Sequence, residues 1–189
     1  MKHLLSVAEV EAVVEALDMA FHGLRRHDLW DAAGKLMCAD SKAERLAKLR
    51  ETGLIDLSFR DLDYLMSCAG LTIGTGETVR FLTPRYLKAL LSFPEFGWYT
   101  NGQMLRDRLD RHGFEEWPRD QRLATADAMA LMGRAMVLMA DDYNSHPEVD
   151  GTQLIAWANI QRAAAQAEAE RRKHKAGAKR QPKGKGLRR

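Results

Sequence analysis

The chain has 189 residues, 46% apolar and 29% charged, with 29 Lys and Arg against 26 Asp and Glu. These are the proportions of a globular domain, and a body of about 170 residues buries enough surface to need no disulfide or metal staple. No apolar run approaches the roughly eighteen residues of a membrane span, and the acid-bearing start MKHLLSVAEVEAVVEA is not a signal peptide, so the cytoplasm is the expected compartment.

The net charge of +3 hides a break near position 170. Residues 171–189, RRKHKAGAKRQPKGKGLRR, hold ten basic residues and no acid. The preceding 170 therefore carry 19 basic residues against 26 acidic ones, a net of −7. Nine Met and many Ala favour helices over strands. Cys38 and Cys68 stand alone, without CxxC spacing, and read as reduced thiols.

In chain order, Ser6 and Glu9 have capping-box spacing and open a helix through about Arg26. Its stripe of Val7, Val10, Val14, Leu17, Phe21 and Leu24 faces a core or a partner helix. A second helix is predicted over 28–37, with Leu29, Trp30, Ala33, Leu36 and Met37 inward. A third starts at Ser41 and ends at Gly53, and a fourth starts at Ser58 and stops at Gly70. LTIGTGETVRFL reads as a loop or a short two-stranded ribbon, and Thr83-Pro84 as the N-cap and first residue of the next helix. EFGWYTNG reads as an aromatic turn, after which Thr100 or Asn101 caps a helix ending at Gly113. Pro118 opens the longest body helix, with Leu123, Ala126, Ala130, Met132, Met136, Val137 and Ala140 inward. Pro147 breaks it, and Asp150 caps a last helix from Thr152 that docks through Leu154, Ile155 and Trp157. From Ala163 onward that helix offers little to bury and is expected to project and fray. No internal repeat is present.

Motifs for catalysis are weak. Gly74-Thr75-Gly76-Glu77-Thr78 lacks the Lys and the longer glycine spacing of a phosphate loop, and reads as a tight turn. His22 and His27 diverge by about 140° on a helix, and no HExxH occurs. The oxygen-rich stretch Asp141, Asp142, Asn144, Glu148 and Asp150 is interrupted by His146-Pro147, which breaks a Ca²⁺-loop register. No GxSxG elbow is found. An enzyme would need a pocket gathering Glu77, His112 or Asp142. No cofactor and no metal site is expected.

The tail is the candidate functional element. Arg171, Arg172, Lys173, Lys175, Lys179, Arg180, Lys183, Lys185, Arg188 and Arg189 suit contact with a polyanion. No aromatic follows Trp157, so base stacking and sequence readout are not expected from it. It can alternatively serve solubility, or fold back on the acidic body at low salt.

Ala20-Phe21 at the end of the first helix, the step Phe81-Leu82-Thr83-Pro84-Arg85-Tyr86-Leu87 and, more loosely, Trp117-Pro118-Arg119-Asp120-Gln121-Arg122 carry a family resemblance. Over residues 7–140 the chain resembles an uncharacterised bacterial family of small helical proteins, a domain of unknown function. Its aromatic pair before Leu-Pro-Ala is replaced here by Lys88-Ala89-Leu90-Leu91. The resemblance implies a helical fold and no established activity, cofactor or catalytic residue.

The expected architecture is all-α: one compact domain of about six or seven helices, a projecting C-terminal helix and a disordered basic tail. The boundaries are 1–146 for the body, 147–170 for the last helix and 171–189 for the tail. The expected function is non-enzymatic binding, the tail engaging nucleic acid or another polyanion. The alternative is a protein–protein adaptor, assembly factor or immunity-like protein using the acidic body or the aromatics Trp98 and Tyr99. The sequence leaves the oligomeric state open.

Overall fold

The computed structural model describes residues 5–24, 57–71, 74–92, 98–138 and 147–179. The expected helices at 28–37 and 41–53, Cys38, the acidic turn at 141–146 and residues 180–189 lie outside these segments. The described chain is all-α: α1 (Val7–Ala20), α2 (Phe59–Cys68), α3 (Gly76–Ser92), α4 (Trp98–Arg111), a 3₁₀ turn (Phe114–Glu116), α5 (Arg119–Leu138) and α6 (Pro147–Lys179). Among the described residues there is no strand, and no helix is long and apolar enough to cross a membrane.

The fold is built around α5. The sequence gives α5 an inner side, but the structure buries it nearly all round. Ala124, Ala126, Ala128, Met129, Leu131, Met132, Ala135 and Met136 are all core residues, and Thr125 is buried with them. A helix that carries Ala and Met on successive faces has small or adaptable side chains in every direction, so neighbours can pack on all of them. Val137, expected inside, is instead 37% exposed.

Helix α6 runs antiparallel to α5, as the pairs Arg162–Asp127 and Arg122–Glu168 require. Two glycines let the backbones touch. A Cβ on Gly151 would lie 2.5 Å from the Gly133 carbonyl oxygen, and one on Gly133 would lie 2.6 Å from that of Gly151. The obstacle in both cases is backbone, which has no rotamer with which to yield.

Helix α1 crosses the other side of α5, also antiparallel: Glu9 takes Arg134 at 2.9 Å and the Ala20 carbonyl accepts from Gln121. Leu17 and Phe21 are buried, Val10, Val13, Ala16, Ala20 and Leu24 pack beside them, and Val7 is exposed. The expected capping box does not close. Ser6 makes no side-chain cap bond, and the Glu9 carboxylate pairs with Arg134 rather than reaching back to the Ser6 amide. The helix also ends at Ala20, six residues before the expected Arg26, and the chain turns through Gly23.

The second half of the core gathers on α3. Val79, Leu82, Tyr86, Leu87 and Leu90 are fully or almost fully buried. Tyr86 stacks on Phe59 at 6.0 Å and donates to Asp63 Oδ1 at 2.6 Å. Burial first, then the neighbouring carboxylate, pushes its phenol pKa strongly upward. The expected loop or ribbon at 71–82 is mostly helix. Helix α3 starts at Gly76, and Pro84 stands in its interior. The GTGET string is the cap: Thr75 Oγ1 accepts from the Glu77 amide, and the Thr75 amide donates to Thr78 Oγ1 at 3.0 Å. Thr83 donates its hydroxyl to the Val79 carbonyl within the turn before the proline.

Two more boundaries differ from expectation. Helix α4 already begins at Trp98 where an aromatic turn was read, and Pro147 is the first residue of α6 rather than a break before it. Other signals stand as read. Ser58 caps α2 by accepting from the Asp61 amide, and the chain turns at Gly70 and Gly113. Phe114 and Trp117 meet at 5.0 Å and Phe114 and Trp157 at 5.2 Å, tying the 3₁₀ turn to α6.

Replacing Gly151 with Ala should force α5 and α6 apart and cost about 1–3 kcal/mol, the usual penalty of overpacking. A urea unfolding midpoint equal to that of the parent chain would show that the glycine contact does not set the helix spacing.

Candidate polyanion-binding end of helix α6

The ten cations named from sequence divide into two groups. Arg180, Lys183, Lys185, Arg188 and Arg189 lie outside the described residues. Arg171, Arg172, Lys173, Lys175 and Lys179 are all on α6, which runs on through Lys179. The disordered tail expected from 171 is therefore helical for its first nine residues. The reason is local. Arg, Lys and Ala are good helix formers, cations suit a helix C-terminus, and Glu168 supports Arg172 one turn on at 2.5 Å.

The stripe of α6 that faces the body recurs at spacings of three and four. It passes through Gly151, Leu154, Ala158 and Ala165, all buried, and continues in the same register through Glu168, Arg172, Lys175 and Lys179. The line turns from apolar to charged where α5 begins and there is no longer anything to pack against. Fraying from Ala163 is not observed: Ala165 is wholly buried and Glu168 is still in contact with α5. Residues 171–175 are all exposed. From Glu168 to Lys179 the helix advances about 16 Å, at 1.5 Å per residue.

The base of this projection is a cluster that the sequence reading missed. Arg122 is 5% exposed and gives one nitrogen to Glu168 Oε2, while Arg172 takes Oε1 of the same carboxylate. Arg119 donates to the Ala165 carbonyl beside it. The bond from Arg122, followed by the other guanidinium contacts, holds the Glu168 carboxyl below its usual pKa despite partial desolvation. Arg122 Nε has no hydrogen-bond partner among the described residues. The available signal was position: Glu168 lies on the buried stripe, where a charge requires an opposite charge from the facing helix.

The groups named from sequence for a possible catalytic pocket are Glu77, His112 and Asp142. Glu77 is exposed and pairs with Arg80 at 3.4 Å, and Asp142 is outside the described residues. His112 lies beneath the turn before α3. A Cβ on Gly70, which has φ +71°, would fall 2.2 Å from His112 Nε2, and one on Gly76 would fall 3.2 Å from the His112 carbonyl. His112 Nε2 is buried with no hydrogen-bond partner among the described residues. Burial, then Arg108 and Arg111, holds its pKa below the usual imidazole value. Nearby, Arg108 donates to the Ser67 carbonyl at 2.5 Å, joining α4 to α2. Trp98 and Tyr99 open α4, but their side chains are not among those described. Among the described residues no three His, Cys, Asp or Glu side chains are grouped to hold a metal.

Two pH effects follow. His112 is easier to protonate unfolded than folded, so its contribution is complete above about pH 6.5 and is lost as pH falls. Stability should therefore decline from pH 7 to 5, and His112→Gln should flatten that decline in denaturant titrations; an unchanged slope would remove His112 from the account. Glu168 acts at lower pH. Its stabilisation is present above the ordinary carboxylate pKa and disappears as pH falls through the depressed value, so Glu168→Gln should lose stability at neutral pH but lie closer to the parent near pH 3. A constant difference between the two chains across that range would contradict the ion pair.

No family model, curated protein or solved structure matches this chain.

Proposed function

We propose that this chain is a non-enzymatic cytoplasmic binding protein whose cationic C-terminal segment engages an anionic partner, nucleic acid or a nucleoprotein assembly. The observation that supports this reading is the exposed run 171–175, carried by a helix that has left the body behind. A stiff helical base holds these cations clear of the negative body, so a phosphate backbone can approach them without crossing that field. Five further cations follow in residues 180–189. With no aromatic beyond Trp157, the contact is to backbone phosphates and carries affinity rather than base readout.

A second reading, an adaptor, assembly factor or immunity-like protein acting through the acidic body, is favoured by α1, whose outer face carries Glu11, Glu15 and Asp18. The two separate in one experiment. Fluorescent RNA and duplex DNA are titrated with the full chain and with residues 1–170 across a salt series. The described core contacts all lie at or before Glu168, so the truncated body should keep its fold. The full chain should bind with a log–log salt slope of about −0.9 per phosphate contacted on duplex DNA, and truncation should abolish binding. Equal binding by both chains, or none by the full chain near physiological salt, would reject the polyanion reading.

A further inference from the structure

Among the described residues, none covers the outer side of α1. An open groove of about 610 Å³ lies against it, lined among the described residues by Glu11, Val14, Glu15, Asp18, Met19 and His22. Met19 is 67% exposed, a large apolar side chain facing water. Asp18 holds Lys88 at 2.6 Å, while Glu11 and Glu15 have no cation among the described residues. The groove is thus an apolar floor between carboxylates spaced one helical turn apart, at positions i, i+4 and i+7.

The occupant that fits it is on the same chain. The stripe Arg172, Lys175 and Lys179 has spacings of three and four, and Glu11, Glu15 and Asp18 have spacings of four and three. Laid antiparallel, the two helices put Lys179 opposite Glu11, Lys175 opposite Glu15 and Arg172 opposite Asp18, every pair in register. Laid parallel, the outer pairs still match but Lys175 falls one residue out of step with Glu15. A chain cannot make this contact with itself while α6 stays helical, because the helix is continuous from Pro147 to Lys179 and points off the end of α5.

We infer that the α1 groove is the docking site for the cationic end of α6 from a second copy of this chain. The contact is electrostatic in origin, so it strengthens at low salt and competes with any polyanion for the same cations. Reciprocal exchange of the two helix ends closes a two-fold dimer. This goes beyond the polyanion reading and does not require it, because the groove belongs to the body.

Sedimentation of the full chain at low and high salt tests it by charge reversal. The parent should self-associate at low salt and be monomeric in high salt. E11K/E15K and K175E/K179E should each weaken association about tenfold or more, and an equimolar mixture of the two should re-associate, since each then offers the other a complementary surface. A parent chain that stays monomeric at low salt, or reversals that leave its mass unchanged, would overturn the inference. E11K/E15K should still bind nucleic acid, so loss of self-association and loss of polyanion binding are read separately.

Discussion

The approach of Gly133 to Gly151 sets the spacing between α5 and α6, and the rest of the fold depends on that spacing. With the backbones in contact, side chains no larger than Ala126, Ala130, Ala158 and Ala165 can fill this region without voids. A larger gap would leave alanine cores under-packed, and alanine has no reach with which to close one. The pair then serves as a wall. Helix α1 lies against α5, and Leu154, Trp157 and Phe114 link α6 to the turn that starts α5.

The same pair determines where the body ends. A helix as long as α6 gains tertiary support only while its inner stripe has a neighbour. Ala165 still has one. Three residues later Glu168 meets Arg122 at the beginning of α5, and the buried guanidinium needs that carboxylate, because an unpaired charge so far from water is costly. Beyond Glu168 the stripe is cationic. Arg122 and Glu168 therefore mark the boundary between a packed helix and a solvated one, and they fix the direction in which the cations leave.

That direction gives the charge distribution its consequence. An acidic body with a flexible basic tail would tend to neutralise itself at low salt. Here the first part of the basic segment is a helix, and folding it back would break backbone hydrogen bonds that a helix of good formers has no reason to surrender. The exposed charges of residues 171–175 are thus carried beyond the packed part of α6 on a helix, with the periodicity that a helix imposes.

Much of the architecture was legible in the residues because helix signals are local. The Ser58 cap, the turns at Gly70 and Gly113, the opening at Pro118 and the charge break at 171 each act within one or two helical turns. Where a local signal competed with a distant partner, tertiary structure prevailed: the Glu9 carboxylate pairs with Arg134 rather than closing its capping box, whereas the Thr75–Thr78 cap is itself local and was simply read as a loop. Pro84 was tolerated inside α3, where burial of Val79, Leu82, Tyr86 and Leu87 outweighs one missing amide. Composition and period alone determined that the chain is helical and that its charges are divided. Which glycines touch, which carboxylate accompanies Arg122 and how far α6 stays packed were decided only by the meeting of α5 and α6, because those contacts join residues far apart in sequence and no local pattern records the partner.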